Sequence, residues 1–219
     1  MTPSTGDPEK MRLRASLREA RSALDRAERQ RQSAALRREI VRHLDARQPA
    51  DDGAGRPVVA AYIGREPEPD TTALLTELHR SGFDVVVPIC EPEYRLSWAF
   101  WHPEVALQRS VRGPVDEPIG PRYQFDGLGQ VILILVPALG VDCAGNRIGQ
   151  GGGYYDRFLA QFPPDAPGAV PRLAVVYRAE LLAASAIPSE DHDQRVGGAF
   201  TPDCLVYFGV HSGAGDGPV

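Results

Sequence analysis

The chain is almost without lysine: of its 24 basic residues, every one except Lys10 is arginine. A bias this strong follows genome composition more than the needs of folding, so composition alone leaves Lys10 open to chance. It does exclude one large class of nucleotide site. A Walker loop needs a lysine after its glycines, and no glycine-rich stretch here has one. Cysteine is scarce as well. Cys90, Cys143 and Cys204 lie far apart, fit no zinc-ligand spacing and make no even-numbered disulfide framework. That pattern suits a reducing compartment, and the expectation is a cytoplasmic protein. Long apolar runs are missing. The longest, residues 131–139, falls well short of the ~18 residues of a membrane span and is broken by Pro137. The opening "MTPSTGDPEK" has no apolar segment, so no secretory signal is expected. An excess of positive charge is also lacking. The formal net charge is −5, which argues against a general nucleic-acid binder. The expectation is a monomer that binds neither nucleic acid nor membrane.

What remains is enough for one domain. A chain of 219 residues with 42% apolar content can bury a sizeable core. Residues 1–8 read as a disordered leader, 9–210 as a single domain and 211–219 as a flexible tail. Leu13, Leu17, Ala20 and Leu24 recur at helical spacing from Glu9 onward. Asp25 with Glu28 three residues later predicts an N-cap and capping box, opening a second helix over about 27–47. "VVAAYIG" (58–64) reads as a strand, Asp70 as the cap of a helix over 71–79, and "FDVVVPIC" as the next strand. Residues 91–127 are largely irregular, with a candidate strand in "RLSWAFWHP". Strands follow at 131–136, 172–178 and 204–210, with "AELLAAS" a short helix or turn. Strands alternating with helices predict an α/β fold: a mostly parallel sheet flanked by helices, as a single Rossmann-like three-layer domain. Ligands in such folds sit at the carboxyl ends of the strands.

The segment "VPALGVDCAGNRIGQGGGYYDRFL" holds Gly149, Gly151, Gly152 and Gly153 around Gln150, between a strand and a helix. A plain turn needs one or two glycines. This many lets successive backbone N–H groups converge on an anion, with a helix N-terminus behind them. Arg147 precedes the loop and can grip a phosphate in two places. Asp156 follows it, and one carboxylate with phosphate oxygens suits Mg²⁺. Tyr154 replaces the last glycine of a dinucleotide fingerprint, so the loop is not of that type. Tyr154 and Tyr155 offer rings and hydroxyls, though either alone reads equally as core.

The same segment resembles the signature of the 5-formyltetrahydrofolate cyclo-ligase family, also called 5,10-methenyltetrahydrofolate synthetases. Lys10-Met-Arg-Leu-Arg14, Glu68-Pro-Asp70-Thr71 and "IPSEDHDQRVGGAFTP" resemble three further family segments, so the likeness runs from residue 10 to 203. The resemblance implies an ATP- and Mg²⁺-dependent enzyme. It would convert 5-formyltetrahydrofolate to 5,10-methenyltetrahydrofolate with release of ADP and phosphate, by phosphorylating the formyl oxygen. It implies that Lys10 and Arg14 contact ATP phosphates, which gives the single lysine a role. Arg147, Gly149, Gln150, Gly151, Gly152, Gly153, Tyr154 and Tyr155 would form the ATP loop, with Lys10, Arg147 and Tyr154 at the chemistry. Ile63, Glu68, Gln150 and Tyr154 would meet the folate, and Asp156 the magnesium. Ile63 reads equally as ordinary core.

The sequence departs from the family at Gly197, where many members carry a second magnesium-binding Asp; Asp191 or Asp193 stand nearby as substitutes. Gly152 stands where some members carry Lys. His192 with Asp193 reads foremost as a surface turn. The departure at Gly197 keeps open a homologue that binds ATP or folate without catalysis. An isomerase or CoA transferase on a related scaffold would use no ATP, and the basic residues around the loop argue against it.

Overall fold

The structure is a computed structural model and describes residues 7–46 and 55–209. Residues 1–6 of the leader expected over 1–8, and the tail expected over 211–219, lie outside the described residues; Asp7 and Pro8 belong to the start of α1 and not to a disordered leader. The elements in chain order are α1 (Pro8–Ala23), α2 (Arg26–Asp45), β1 (Val58–Ala60), α3 (Thr72–Arg80), β2 (Asp84–Cys90), β3 (Leu96–Trp101), β4 (Leu107–Arg109), β5 (Asp116–Pro118), β6 (Val131–Pro137), β7 (Gly140–Asp142), β8 (Arg147–Ile148), α4 (Tyr154–Leu159), β9 (Arg172–Val175), β10 (Leu181–Leu182), β11 (Gly198–Phe200) and β12 (Leu205–Tyr207).

Seven strands form the main sheet in the order β12-β11-β9-β6-β1-β2-β3. Strands β11 through β2 run parallel, and β12 and β3 close the two edges antiparallel. Both faces are covered, so the strands read as continuous apolar runs. Alternate residues still divide between two cores. Val59, Leu133 and Leu173 face α2 and α3, against Leu36, Ile40 and Leu75. Val58, Ile134 and Ala174 face the other way, against Phe158 and Leu159 of α4 and the rings of Trp98 and Phe125. This is the expected three-layer arrangement.

The connections make a crevice. From β1 the chain crosses through α3 to β2 on one side. From β6 it crosses through α4 to β9 on the other. The two crossovers diverge between adjacent strands β1 and β6, which is where open α/β sheets bind ligands, beyond the strands' carboxyl ends.

Several local expectations shift. Helix α1 starts at Pro8, because Asp7 caps it by accepting from the Glu9 N–H at 2.9 Å. Asp25 caps α2 through the Glu28 N–H at 2.7 Å, but Glu28 makes no return bond; its carboxylate serves Arg31 and Gln32 instead. The first strand's ladder ends at Ala60, short of Gly64. Thr71, not Asp70, is the N-cap of α3. The Thr71 hydroxyl bridges Tyr62 O and the Gly64 N–H, and the Asp70 carboxylate takes the Thr72 N–H. "AELLAAS" is one 3₁₀ turn followed by β10, which pairs with β7. No helix among the described residues is long and apolar enough to cross a membrane.

Candidate active site

The glycine loop does not leave β6 directly. The hairpin β7–β8 intervenes, and Asp142 builds it. This carboxylate is fully buried, with Oδ1 accepting from the N–H groups of Ala144 and Asn146 and Oδ2 from Asn146 Nδ2 and the Ile187 N–H. The hairpin aims Arg147 and the loop over the carboxyl ends of β1 and β6. Gly151 at φ +102° and Gly153 at φ +71° occupy backbone space that residues with a Cβ rarely enter. The backbone N–H groups of residues 149–153 donate no hydrogen bond to any described residue. A run of unused donors of this kind is what an anion cradle needs.

Helix α1 lies against the loop. Lys10, Arg14 and Arg18 recur every four residues and so share one face. Arg14 Nε donates to Gly149 O at 3.1 Å. Arg18 donates from Nε to Gln150 Oε1 at 3.0 Å and from Nη2 to Gln150 O at 2.9 Å. One turn further, Arg21 fastens the helix to the sheet. Its Nε and Nη2 donate to the two oxygens of Glu180 at 2.6 and 2.7 Å, and Nη2 also to Ala138 O, just past β6, at 2.6 Å.

Lys10 is buried and bound at 2.6 Å to Glu190 and 2.5 Å to Asp193. Burial alone lowers an ammonium's pKa, but the two carboxylates outweigh it and hold Lys10 above its ordinary value. Asp193 is correspondingly held below the usual carboxylate range. Burial pushes it up, and the Lys10 contact and the Glu190 N–H pull it down further. The turn expected at 191–193 is present, and its acid reaches the active face. Glu190, His192 and Asp193 bring one ligand atom each within 4.8 Å of one another.

Arg147 Nη2 donates to Asp156 Oδ1 at 2.6 Å, and the Gln194 N–H reaches the same oxygen at 3.2 Å. Asp156 Oδ2 accepts nothing among the described residues. Two buried polar atoms of the same segment also lack partners among the described residues, Arg147 Nε and the Tyr155 hydroxyl. Buried polar groups are normally paired, so these two atoms have hydrogen-bonding capacity to spare, as do Arg21 Nη1, Arg37 Nε and Trp98 Nε1 elsewhere. Burial pushes the Tyr155 hydroxyl far up, and it keeps its proton. Tyr154 is raised by burial and by the Cys90 thiol beside it. That thiol is itself pushed up to about 11 by burial and Glu117. The Tyr154 ring meets Tyr94 edge-on, with centroids 5.5 Å apart.

Among the expected folate residues, Glu68 and Gln150 do meet: Gln150 Nε2 donates to Glu68 Oε1 at 3.2 Å. Ile63 is half-buried and packs on the α2–α3 core. A cavity of about 350 Å³ opens beside Glu68 between α2 and the β1–α3 loop, reached by Arg26, Arg29 and Arg37. No residue of the glycine loop lines it. At Gly197 a Cβ would meet only Arg172 O, at 3.7 Å. Sequence reasoning missed Arg18 and Arg21. The four-residue spacing from Lys10 was the available signal for Arg18, and an arginine-rich chain hid it.

A model of the 5-formyltetrahydrofolate cyclo-ligase family matches residues 7–202. A 5-formyltetrahydrofolate cyclo-ligase of Mycolicibacterium smegmatis is 35% identical over 151 residues, covering 66% of this chain and 73% of the relative. One from Mus musculus is 24% identical over 204 residues, covering 90% and 95%. In structure, the chain is similar to the 5,10-methenyltetrahydrofolate synthetase of Aquifex aeolicus, with a TM-score of 0.65 at 24% identity over 95% of this chain and 96% of the other. The synthetase of Mycoplasma pneumoniae gives 0.64 at 17% identity over 87% and 97%. The sequence match spans the N-terminal basic helix, the glycine loop and the closing segment that the fold brings together, and the chain belongs to the 5-formyltetrahydrofolate cyclo-ligase family.

Proposed function

We propose that this enzyme closes 5-formyltetrahydrofolate to 5,10-methenyltetrahydrofolate at the expense of ATP. The observation that carries the reading is the loop at 149–153, whose N–H groups are unused and which is bordered by Arg14, Arg147 and Asp156. The chemistry explains the need for a phosphate donor. A formamide is resonance-stabilised, and its oxygen is a poor leaving group. Transfer of the γ-phosphoryl group to that oxygen releases ADP. N10 then attacks the formyl carbon, loses its proton, and inorganic phosphate departs to leave the methenyl bridge. The protein's part is positioning and charge neutralisation.

Lys10, Arg14 and Arg147 supply positive charge to the phosphates, with the loop N–H groups beneath. Gly149, Gln150, Gly151, Gly152, Gly153, Tyr154 and Tyr155 surround the nucleotide. Tyr154, protonated at neutral pH, is a hydroxyl donor beside the formyl group. Ile63, Glu68 and Gln150 receive the pterin, with the Glu68 carboxylate accepting from its N–H groups. The open Oδ2 of Asp156 suits a hard cation, and the residues fit Mg²⁺. When bound, that ion offsets phosphate charge. Asp193, clustered with Glu190 and His192, offers a carboxylate in place of the acid absent at Gly197. The three free cysteines accord with a reducing cytoplasm, and the reading is of a monomer that binds neither nucleic acid nor membrane.

Gly197 favours one rival, a homologue that binds without turnover. Absorbance near 360 nm separates the two when the protein is mixed with 5-formyltetrahydrofolate, ATP and Mg²⁺. A rise that requires all three and is lost in Asp156→Ala supports the enzyme. No rise, with ATP and folate still binding, supports the rival.

A further inference from the structure

Between helix α1 and the acid expected to meet the pterin runs a chain of hydrogen bonds with only one possible polarity. Arg18 can only donate, and the Glu68 carboxylate can only accept. The Gln150 amide stands between them. Its Oε1 faces Arg18 Nε at 3.0 Å, and its Nε2 faces Glu68 Oε1 at 3.2 Å. Turned over, the amide would set donor against donor on one side and acceptor against acceptor on the other. Arg18 therefore fixes which end of Gln150 reaches Glu68. Its second donor, on Gln150 O at 2.9 Å, fixes the backbone from which that side chain springs.

Glu68 is held from its other side too. Its Oε2 accepts from the Arg65 N–H at 3.1 Å. Each carboxylate oxygen keeps a further lone pair, so both remain free to accept from a ligand. A carboxylate held at both oxygens presents a fixed plane, which is what a flat heterocycle with adjacent N–H donors requires.

We propose that Arg18 is a positioning residue for the folate. It acts through Gln150 to set the orientation of Glu68, and it does so from the helix that carries Lys10 and Arg14. This rests on the assignment of Glu68 and Gln150 to the folate made above. Arg18 is exposed and touches no atom of the crevice except through Gln150. Its loss should therefore leave thermal stability unchanged and act on folate affinity.

The test is calorimetric titration of the full chain with 5-formyltetrahydrofolate, and separately with a non-hydrolysable ATP analogue and Mg²⁺. The proteins are wild type, Arg18→Ala, Arg18→Lys, Glu68→Ala and the Arg18→Ala/Glu68→Ala double variant. Arg18→Ala is expected to weaken folate about three- to tenfold, the range of one ordinary net hydrogen bond. Nucleotide affinity should fall clearly less than folate affinity, and Arg18→Lys, which keeps a donor, should recover part of the folate loss. In the double variant the Arg18 effect should shrink well below its size in the wild-type background, because the carboxylate it positions through Gln150 is gone. Multiplying losses in the double variant, or equal weakening of folate and nucleotide by Arg18→Ala, would overturn the relay while leaving the proposed reaction intact. A wild type that binds nucleotide but no folate would instead sink the proposed reaction, and this inference with it.

Discussion

Replacing Arg21 with methionine should be the most costly single change on the basic face of α1. The guanidinium has a side-chain exposure of 1%, and its partner Glu180 of 5%. Methionine keeps an unbranched stem but no donor. Glu180 then loses both guanidinium bonds and retains only the Tyr177 N–H, at 2.8 Å on Oε2. Ala138 O loses its Arg21 partner as well. Removing one member of a buried ion pair costs about 3–5 kcal/mol, chiefly because the other charge stays buried. At about 2–4 °C per kcal/mol for a chain of this size, the melting temperature should fall by about 6–20 °C. The deficit of Arg21→Met against wild type is read in calorimetric or circular-dichroism melts. Arg21→Met combined with Glu180→Gln should recover much of the loss, because the neutral amide no longer carries a stranded charge. A deficit under about 1 kcal/mol, or single-variant costs that simply add in the double, would refute the argument.

Two further predictions concern stability and metal binding. Tyr155→Phe removes a buried hydroxyl that has no partner among the described residues, so the unliganded protein should melt at the same temperature or up to a few degrees higher. An unchanged affinity for the ATP analogue in that variant would show that the hydroxyl is not reserved for the nucleotide. Gly197→Asp has room for its Cβ and should alter stability by no more than about 0.5 kcal/mol. Mg²⁺ titration in the presence of the ATP analogue should show tighter binding if the missing acid matters there, and no change if Asp193 already serves.

The layering of the fold was legible because it is written in short-range patterns. Val58 and Val59, Leu133 and Ile134, and Leu173 and Ala174 each send neighbours to opposite cores, and doubly covered strands announce themselves as apolar runs. The β7–β8–β10 sheet was not legible. Its strands have two or three residues, and a buried carboxylate, Asp142, organises its hairpin. Within the site, the glycine loop and its flanking Arg147 and Asp156 declared themselves by spacing. Arg18, Arg21 and the Lys10 clamp did not, because each depends on a partner more than a hundred residues away. Among so many arginines, only that partner shows which ones are structural.

Those separations also bear on how the protein is made. Lys10 meets Asp193 across 183 positions, Arg21 meets Glu180 across 159, and Arg18 meets Gln150 across 132. Helix α1 leaves the ribosome well before any of these partners. At about 5–20 residues per second, the helix waits on the order of 10–40 s for Asp193 to emerge. Its partners arrive in turn, the loop at Gln150 first, then Glu180, and Asp193 after both. A nascent chain halted before residue 190 therefore holds most of the sheet and none of the Lys10 clamp. Closing the site therefore waits on residues 190–193, made long after the helix that they clamp.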